Sequence, residues 1–221
     1  GRIIGEHCKS VGAHLNFAPV ADINNNPENP VIHRRSFGED PERVGKKVDA
    51  FIKGMQKSGT LSCAKHYPGH GDTDIDSHKN LPIIPHLYKR LKSIELSPFQ
   101  QVITQLPAIM TGHLLVPAMD ETFPASLSKI IVQDLLKKEW EYKGLIVTDA
   151  LNMKALTNYY PDEKIAREAF LAGSDLLLYG AHLQKDVEEI LKRHIPKATA
   201  SLKEAVTSGV LPLHRLDESV L

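Results

Sequence analysis

Several things are missing from this sequence, and each absence removes a class of function. There is no surplus of charge: 27 Lys and Arg balance 27 Asp and Glu, so nothing is left over to displace phosphate counterions and no nucleic-acid partner is expected. No apolar run approaches the roughly 18 residues that would suggest a membrane span. Cysteine is scarce. Cys8 and Cys63 are the only two; they cannot build a disulfide framework or a four-thiolate metal site, and they leave the redox compartment open. No GxGxxG or P-loop occurs, so nothing supports a nucleotide-binding sheet. The opening GRIIGEHCKS lacks the continuous apolar stretch of a signal peptide. It reads as the middle of an amphipathic helix, which predicts a chain that begins inside a larger protein. What is present is ordinary for a folded domain: 221 residues, 42% hydrophobic and 24% charged, with no linker composition anywhere.

Brief apolar runs alternate with longer helical patterns. Strands are predicted at 14–20, 61–65, 108–112, 145–148 and 175–179; such short runs with few charges suit parallel strands covered on both faces. Helices are predicted at 41–58 with Asp40 as cap and Pro41 in the first turn, at 91–104, at 128–140 with Ser126 or Ser128 as cap, at 162–172 ending on Gly173, at 186–194 and at 198–208. This alternation implies right-handed crossovers and a parallel sheet, open or closed. The polar residues gather just beyond the strand ends, which favours a (β/α)8 TIM-type barrel. A full barrel takes about 250 residues, and only five strands are legible, so the barrel is expected to be incomplete, with its first strands missing.

The densest chemistry is the stretch Lys65-His66-Tyr67-Pro68-Gly69-His70-Gly71-Asp72-Thr73-Asp74-Ile75-Asp76-Ser77-His78. Pro68, Gly69 and Gly71 make it a loop with a special backbone, and long polar loops after buried strands usually serve function. One reading is a metal site: His66 and His70 stand four apart, with Asp72, Asp76 or His78 to complete the shell. The helix that gives such spacing its meaning is absent, and no Glu follows His66, so neither metal nor other cofactor is expected. The second reading is acid/base work. Asp76 and His78 flank Ser77, and on a turning loop the carboxylate can fix the imidazole tautomer, raise its pKa and make it a proton donor near neutrality. A bare hydrogen-bonded loop clasp is the bland alternative.

That motif resembles the signature of glycoside hydrolase family 3, in its β-N-acetylglucosaminidase (β-hexosaminidase) branch. Three further segments fit in the family's order: Asn16-Phe17-Ala18-Pro19-Val20-Ala21-Asp22, Arg35-Ser36-Phe37-Gly38-Glu39-Asp40-Pro41, and Leu145-Ile146-Val147-Thr148-Asp149-Ala150-Leu151-Asn152-Met153. A closing Arg215-Leu216-Asp217-Glu218-Ser219-Val220 is of the usual type. The resemblance implies a barrel domain over residues 1–221, truncated at its N-terminus, and a retaining two-step displacement. Asp149 becomes the nucleophile and His78, oriented by Asp76, the acid/base. Arg35, Lys65 and His66 become binders of sugar hydroxyls, Asp22 a binder or a brace, and His113 and Met153 residues of the pocket lining or of the packing. His70 and Asp72 are expected to hold the loop in shape. Two departures stand out. Ala150 replaces a second Asp found in many relatives, and the family's Asp-Gln/His-Glu-Gly-Gly stretch has no match here.

The implied activity is removal of terminal β-linked N-acetylglucosamine from peptidoglycan- or chitin-type substrates. The alternatives are a phosphorylase of the same family and a sugar-binding or scaffold domain without turnover. The partner is a carbohydrate, together with an additional N-terminal segment of the same protein. The compartment stays open between the bacterial cytoplasm and the periplasm or cell envelope.

Overall fold

In a computed structural model of the chain, which describes residues 1–181 and 187–220, the apolar runs lie side by side and parallel. Strands β1 (Leu15–Asn16), β2 (Leu61–Tyr67), β3 (Ala108–Thr111) and β4 (Leu145–Thr148) form one sheet in that order. The predicted fifth strand at 175–179 is reduced to a single bridge, Leu176 to Val147, on the far side of β4. Backbone bonds still hold it there: Leu176 donates to the Ile146 carbonyl at 3.1 Å and accepts from Thr148 at 3.0 Å. The winding is that of a partial TIM-type (β/α) barrel.

Alternation along each strand sorts the side chains into two cores. Cys63, Ala108, Met110 and Val147 pack together with Leu15, Phe17 and Leu178. Their neighbours Ala64, Ile109 and Ile146 join the larger cluster beneath the helices. The same alternation puts Lys65 on the face of Cys63, level with Met110. Past Lys65 the register slips by one residue. Such a bulge reverses which face later side chains meet. Tyr67 consequently drops into the helix-side core, edge-on to Phe99 and Trp140 at centroid distances of 5.5 and 5.7 Å.

The helices follow from local signals. Helix α1 (Arg2–Ser10) rests on α2 (Pro41–Lys57), which turns Val44, Val48, Ile52 and Met55 inward. The Asp40 carboxylate caps α2, accepting the Arg43 amide at 2.8 Å, a contact worth about 1 kcal/mol. The predicted helix over 91–104 is two helices, α3 (Tyr88–Ser93) and α4 (Ser97–Val102). Pro98 has no amide to give and restarts the helix in its first turn. Residues Ile130–Glu139 form a π-helix; Ser128 rather than Ser126 receives its Ile131 amide, at 3.1 Å. Helix α5 (Lys154–Thr157) is a single turn, and α6 (Asp162–Ala172) ends on Gly173 at φ +124° as predicted.

Asp186, the first residue of the next predicted helix, lies outside the described residues. A short α7 (Val187–Glu189) runs into a π-helical turn, Ile190–His194, and then α8 (Ile195–Thr207). Helix α9 (Leu213–Val220) brings Arg215 over the Phe170 ring and onto Asp175. One oxygen of Asp175 accepts from Lys137, Arg215 and Ser219, and the other accepts the Ile146 amide of β4 at 2.9 Å. No helix among the described residues is long and apolar enough to cross a membrane.

Candidate active site

The C-terminal ends of β1 to β4 point their loops to one side, and the polar residues singled out above collect there. Asp149 stands two residues beyond Val147, and its amide extends the ladder to the Thr111 carbonyl at 2.9 Å. Its carboxylate accepts the Ala150 amide at 2.8 Å. Burial pushes this carboxyl upward. The neighbouring His66, the Ala150 amide and Lys65 outweigh burial and hold it below the usual aspartate range. Lys65 sits half-buried, its ammonium weakened first by burial and then by the like charge of Arg35, with Asp149 pulling the other way. Arg35 itself is exposed, on a turn where His33 takes a positive φ of 24°. Non-glycine residues seldom occupy that region without a reason.

Asp22 is fully buried beneath the loop after β2. One of its oxygens accepts the backbone amides of His66 and His70, at 3.1 and 2.8 Å; the other lies 2.7 Å from His66 Nδ1. Burial drives its pKa up, but His66 and His70 more than reverse this, so Asp22 is an ionised acceptor and His66 carries its proton on Nδ1. The peptide bonds Ala18–Pro19, Lys65–His66 and Tyr67–Pro68 are cis. His70 is a spacer: Nδ1 meets Thr73 Oγ1 at 2.8 Å and Nε2 meets Ser77 Oγ at 3.1 Å.

Asp76 and His78 form the expected pair. Asp76 Oδ1 receives the His78 amide at 2.9 Å and lies 2.7 Å from His78 Nδ1. Burial raises the Asp76 pKa less than these two bonds lower it, so the carboxylate stays ionised and Nδ1 is the donor. The loop carrying this pair is sewn to the segment after Asp149. Ala155 donates to the Ser77 carbonyl at 3.2 Å, Asn158 to the Lys79 carbonyl at 3.4 Å, and the Tyr159 hydroxyl to Asn80 at 2.6 Å.

Of the two readings for His113 and Met153, pocket lining or packing, burial favours packing. His113 is 1% exposed. Its Nδ1 accepts from the Ser126 hydroxyl at 2.8 Å and its Nε2 donates to the Ala150 carbonyl at 3.0 Å, which braces the backbone just past Asp149. Burial holds this ring neutral. Met153 is also 1% exposed. A metal reading meets an obstacle. Asp72, His86 and Glu95 bring ligand-type atoms within 4.8 Å of one another, but the Arg90 guanidinium already lies among them and supplies the positive charge. His66 and His70 are each committed to separate hydrogen-bond partners.

Sequence reasoning passed over Asn29. Buried at 2% exposure, its amide donates to His70 O, Gly71 O and Thr73 Oγ1 and accepts from the Val31 and Ile32 amides, all within 2.6–3.1 Å. The available signal was four asparagines in the six residues 24–29, since Asn recurs where side chains replace backbone partners. Asn152 was also missed as a clamp; it exchanges two hydrogen bonds with Gly180.

Residues 1–221 match the family described as "Glycosyl hydrolase family 3 N terminal domain". The chain is 36% identical over 230 residues to beta-hexosaminidase A of Pseudoalteromonas piscicida, covering 98% of this chain and 38% of that protein. It is 32% identical over 224 residues to beta-hexosaminidase LpqI of Mycobacterium tuberculosis, covering 98% and 55%. The structure of a glycoside hydrolase family 3 beta-N-acetylglucosaminidase from Paenibacillus sp. str. FPU-7 superposes with a TM-score of 0.90 at 41% identity, over 99% of this chain and 40% of that one. The chain therefore spans between 38% and 55% of the length of these relatives.

Proposed function

The chain belongs to glycosyl hydrolase family 3, and from that premise we propose that it carries the reacting groups of a retaining β-N-acetylhexosaminidase. The substrate class is terminal β-linked N-acetylglucosamine of peptidoglycan or chitin type. One observation carries the reading. An aspartate kept ionised by His66, the Ala150 amide and Lys65 stands at the end of β4, and the loop bearing a bonded Asp76–His78 pair is hydrogen-bonded to the segment that follows it.

In the first step an Asp149 oxygen attacks the anomeric carbon. The bond to the leaving oxygen breaks, and that oxygen takes the proton from His78 Nε2. The products are a glycosyl ester on Asp149, a free alcohol and a neutral imidazole. In the second step His78 takes a proton from water as the water oxygen attacks the same carbon; the ester opens and Asp149 is restored as a carboxylate. Ionised Asp76 stabilises the imidazolium at both ends of the cycle. This replaces the paired carboxylates usual in glycosidases. Arg35 and Lys65 offer donors to sugar hydroxyls, Arg as a planar fork and Lys as a point charge. His66, oriented by Asp22, presents its other ring nitrogen. His113 and Met153 act behind this layer, as brace and packing.

The test is trapping in the full-length protein with a 2- or 5-fluoro sugar, followed by peptide mapping. The label is expected on Asp149. Asp149→Ala is expected to lower hydrolysis of an aryl N-acetylglucosaminide by about 10,000-fold. A label on another residue, or an unchanged rate in the variant, overturns the assignment.

A further inference from the structure

Between β2 and the Asp76–His78 pair, the loop is gripped at one more point than the Asn29 and Asp22 contacts. Asp72, four residues before Asp76, accepts from Arg90 Nη2 at 2.8 Å. The same nitrogen reaches Glu95 Oε1 at 3.3 Å, and that oxygen also receives the Asn25 side-chain amide at 3.0 Å. His86 closes the group, its Nε2 lying 2.6 Å from both Asp72 and Arg90. Glu95 is 3% exposed and packs directly on Gly69, where a Cβ would stand 2.9 Å from its own. Three separate excursions of the chain, 22–40, 66–80 and 86–95, thus meet in one cluster, Asp72 and Glu95 through Arg90 and Asn25 through Glu95.

We propose that Arg90 is a positioning residue for proton transfer: it fixes the root of the loop that carries Asp76 and His78. The inference rests on the roles proposed for those two residues. The alternative is a scaffold contact with no bearing on the reaction. Two observations favour positioning. Arg90 acts on a residue only four positions from Asp76, through contacts separate from the seam with 155–159. Its hydrogen bonds run to Asp72, His86 and Glu95 and not to Asp149. Losing Arg90 therefore leaves the attacking carboxylate as it was and loosens only the donor. An acid displaced by about 1 Å costs on the order of 100-fold in rate, and the cost falls only where a proton is needed.

The leaving group separates the cases. A dinitrophenyl aglycone departs without protonation, whereas an alkyl or sugar aglycone does not. In the full-length protein, Arg90→Gln is expected to slow the glycosylation step with poor leaving groups by about 10- to 100-fold while sparing it with the dinitrophenyl glycoside. Added azide, which attacks the glycosyl-enzyme without a base, is expected to restore turnover of the activated substrate. Asp72→Asn should reproduce the pattern, and Arg90→Lys should recover part of it. His78→Ala is the control. If it fails to steepen the leaving-group dependence, the proposed roles themselves fall. If it does steepen it, and Arg90→Gln slows all substrates equally or none, the inference about Arg90 is overturned. Circular dichroism establishes that each variant is folded; should Arg90→Gln unfold, Asp72→Asn decides by the same criterion.

Discussion

Asn29 is a single side chain that satisfies five backbone or hydroxyl groups under the loop before Asp76. Truncating it removes a partner from each of them; the His70 carbonyl and Thr73 hydroxyl keep one another, and each group left unpaired carries a desolvation cost. Asn29→Ala is expected to lower the unfolding free energy by about 3 kcal/mol, read from urea denaturation; a loss within error of zero would show that water replaces the amide. This scale also marks where sequence reading succeeds. The Asp76–His78 bond was legible because two residues on a turning loop have few other ways to satisfy each other. The expected roles of His70 and Asp72 as loop supports match their contacts with Thr73, Ser77, Arg90 and His86. Asn29 was not legible, because the groups it donates to lie more than forty residues away and its run of asparagines does not say which groups they meet. The inward turn of His113 was hidden for the same reason: Ser126 and Ala150 are remote in sequence.

Among elements, the loop after β2 depends on one close approach of backbones. At Gly71 an added Cβ would fall 1.6 Å from the Ile23 carbonyl oxygen, a rigid neighbour that cannot step aside. Gly71→Ala is expected to displace the loop, abolish measurable turnover and lower the thermal midpoint by several degrees for each kcal/mol lost; wild-type melting and activity would contradict the contact. The strands β2, β3 and β4 were readable from their apolar runs, and α6 from its glycine stop. The slip in β2 was not, since a bulge leaves no mark in hydrophobicity, yet it sends Tyr67 to the helix side while Lys65 keeps the inner face. The break between α3 and α4 was readable in Pro98 and was overlooked because apolar spacing continues across it.

For the molecule as a whole, acid should act in two separate windows. Burial, and next the charge of His66, push His70 from 6.5 down to about 4 against the pull of Asp22. The folded ring stays neutral where the unfolded one takes a proton. Its contribution to stability is complete above pH 6.5 and is lost as pH falls from 6.5 to about 4; the loss is on the order of 3 kcal/mol. The carboxyls of Asp22, Asp72 and Asp149 lie below their ordinary value of 3.8 and lose their contributions only in stronger acid. Glu95, raised by burial from 4.5, runs the opposite way and costs stability as pH rises above that value. Comparing urea unfolding of the wild type with His70→Asn across pH 6.5 to 4 isolates the imidazole: the substituted protein should lose less on acidification, and parallel curves would refute the assignment. The architecture was legible at this scale from strand–helix alternation, while the reach of the last turn was not. Because Arg215 and Ser219 hold Asp175, and Asp175 holds the Ile146 amide three residues before Asp149, tension on α9 would be transmitted straight into β4. Helix α9 is a handle on the strand that leads to Asp149.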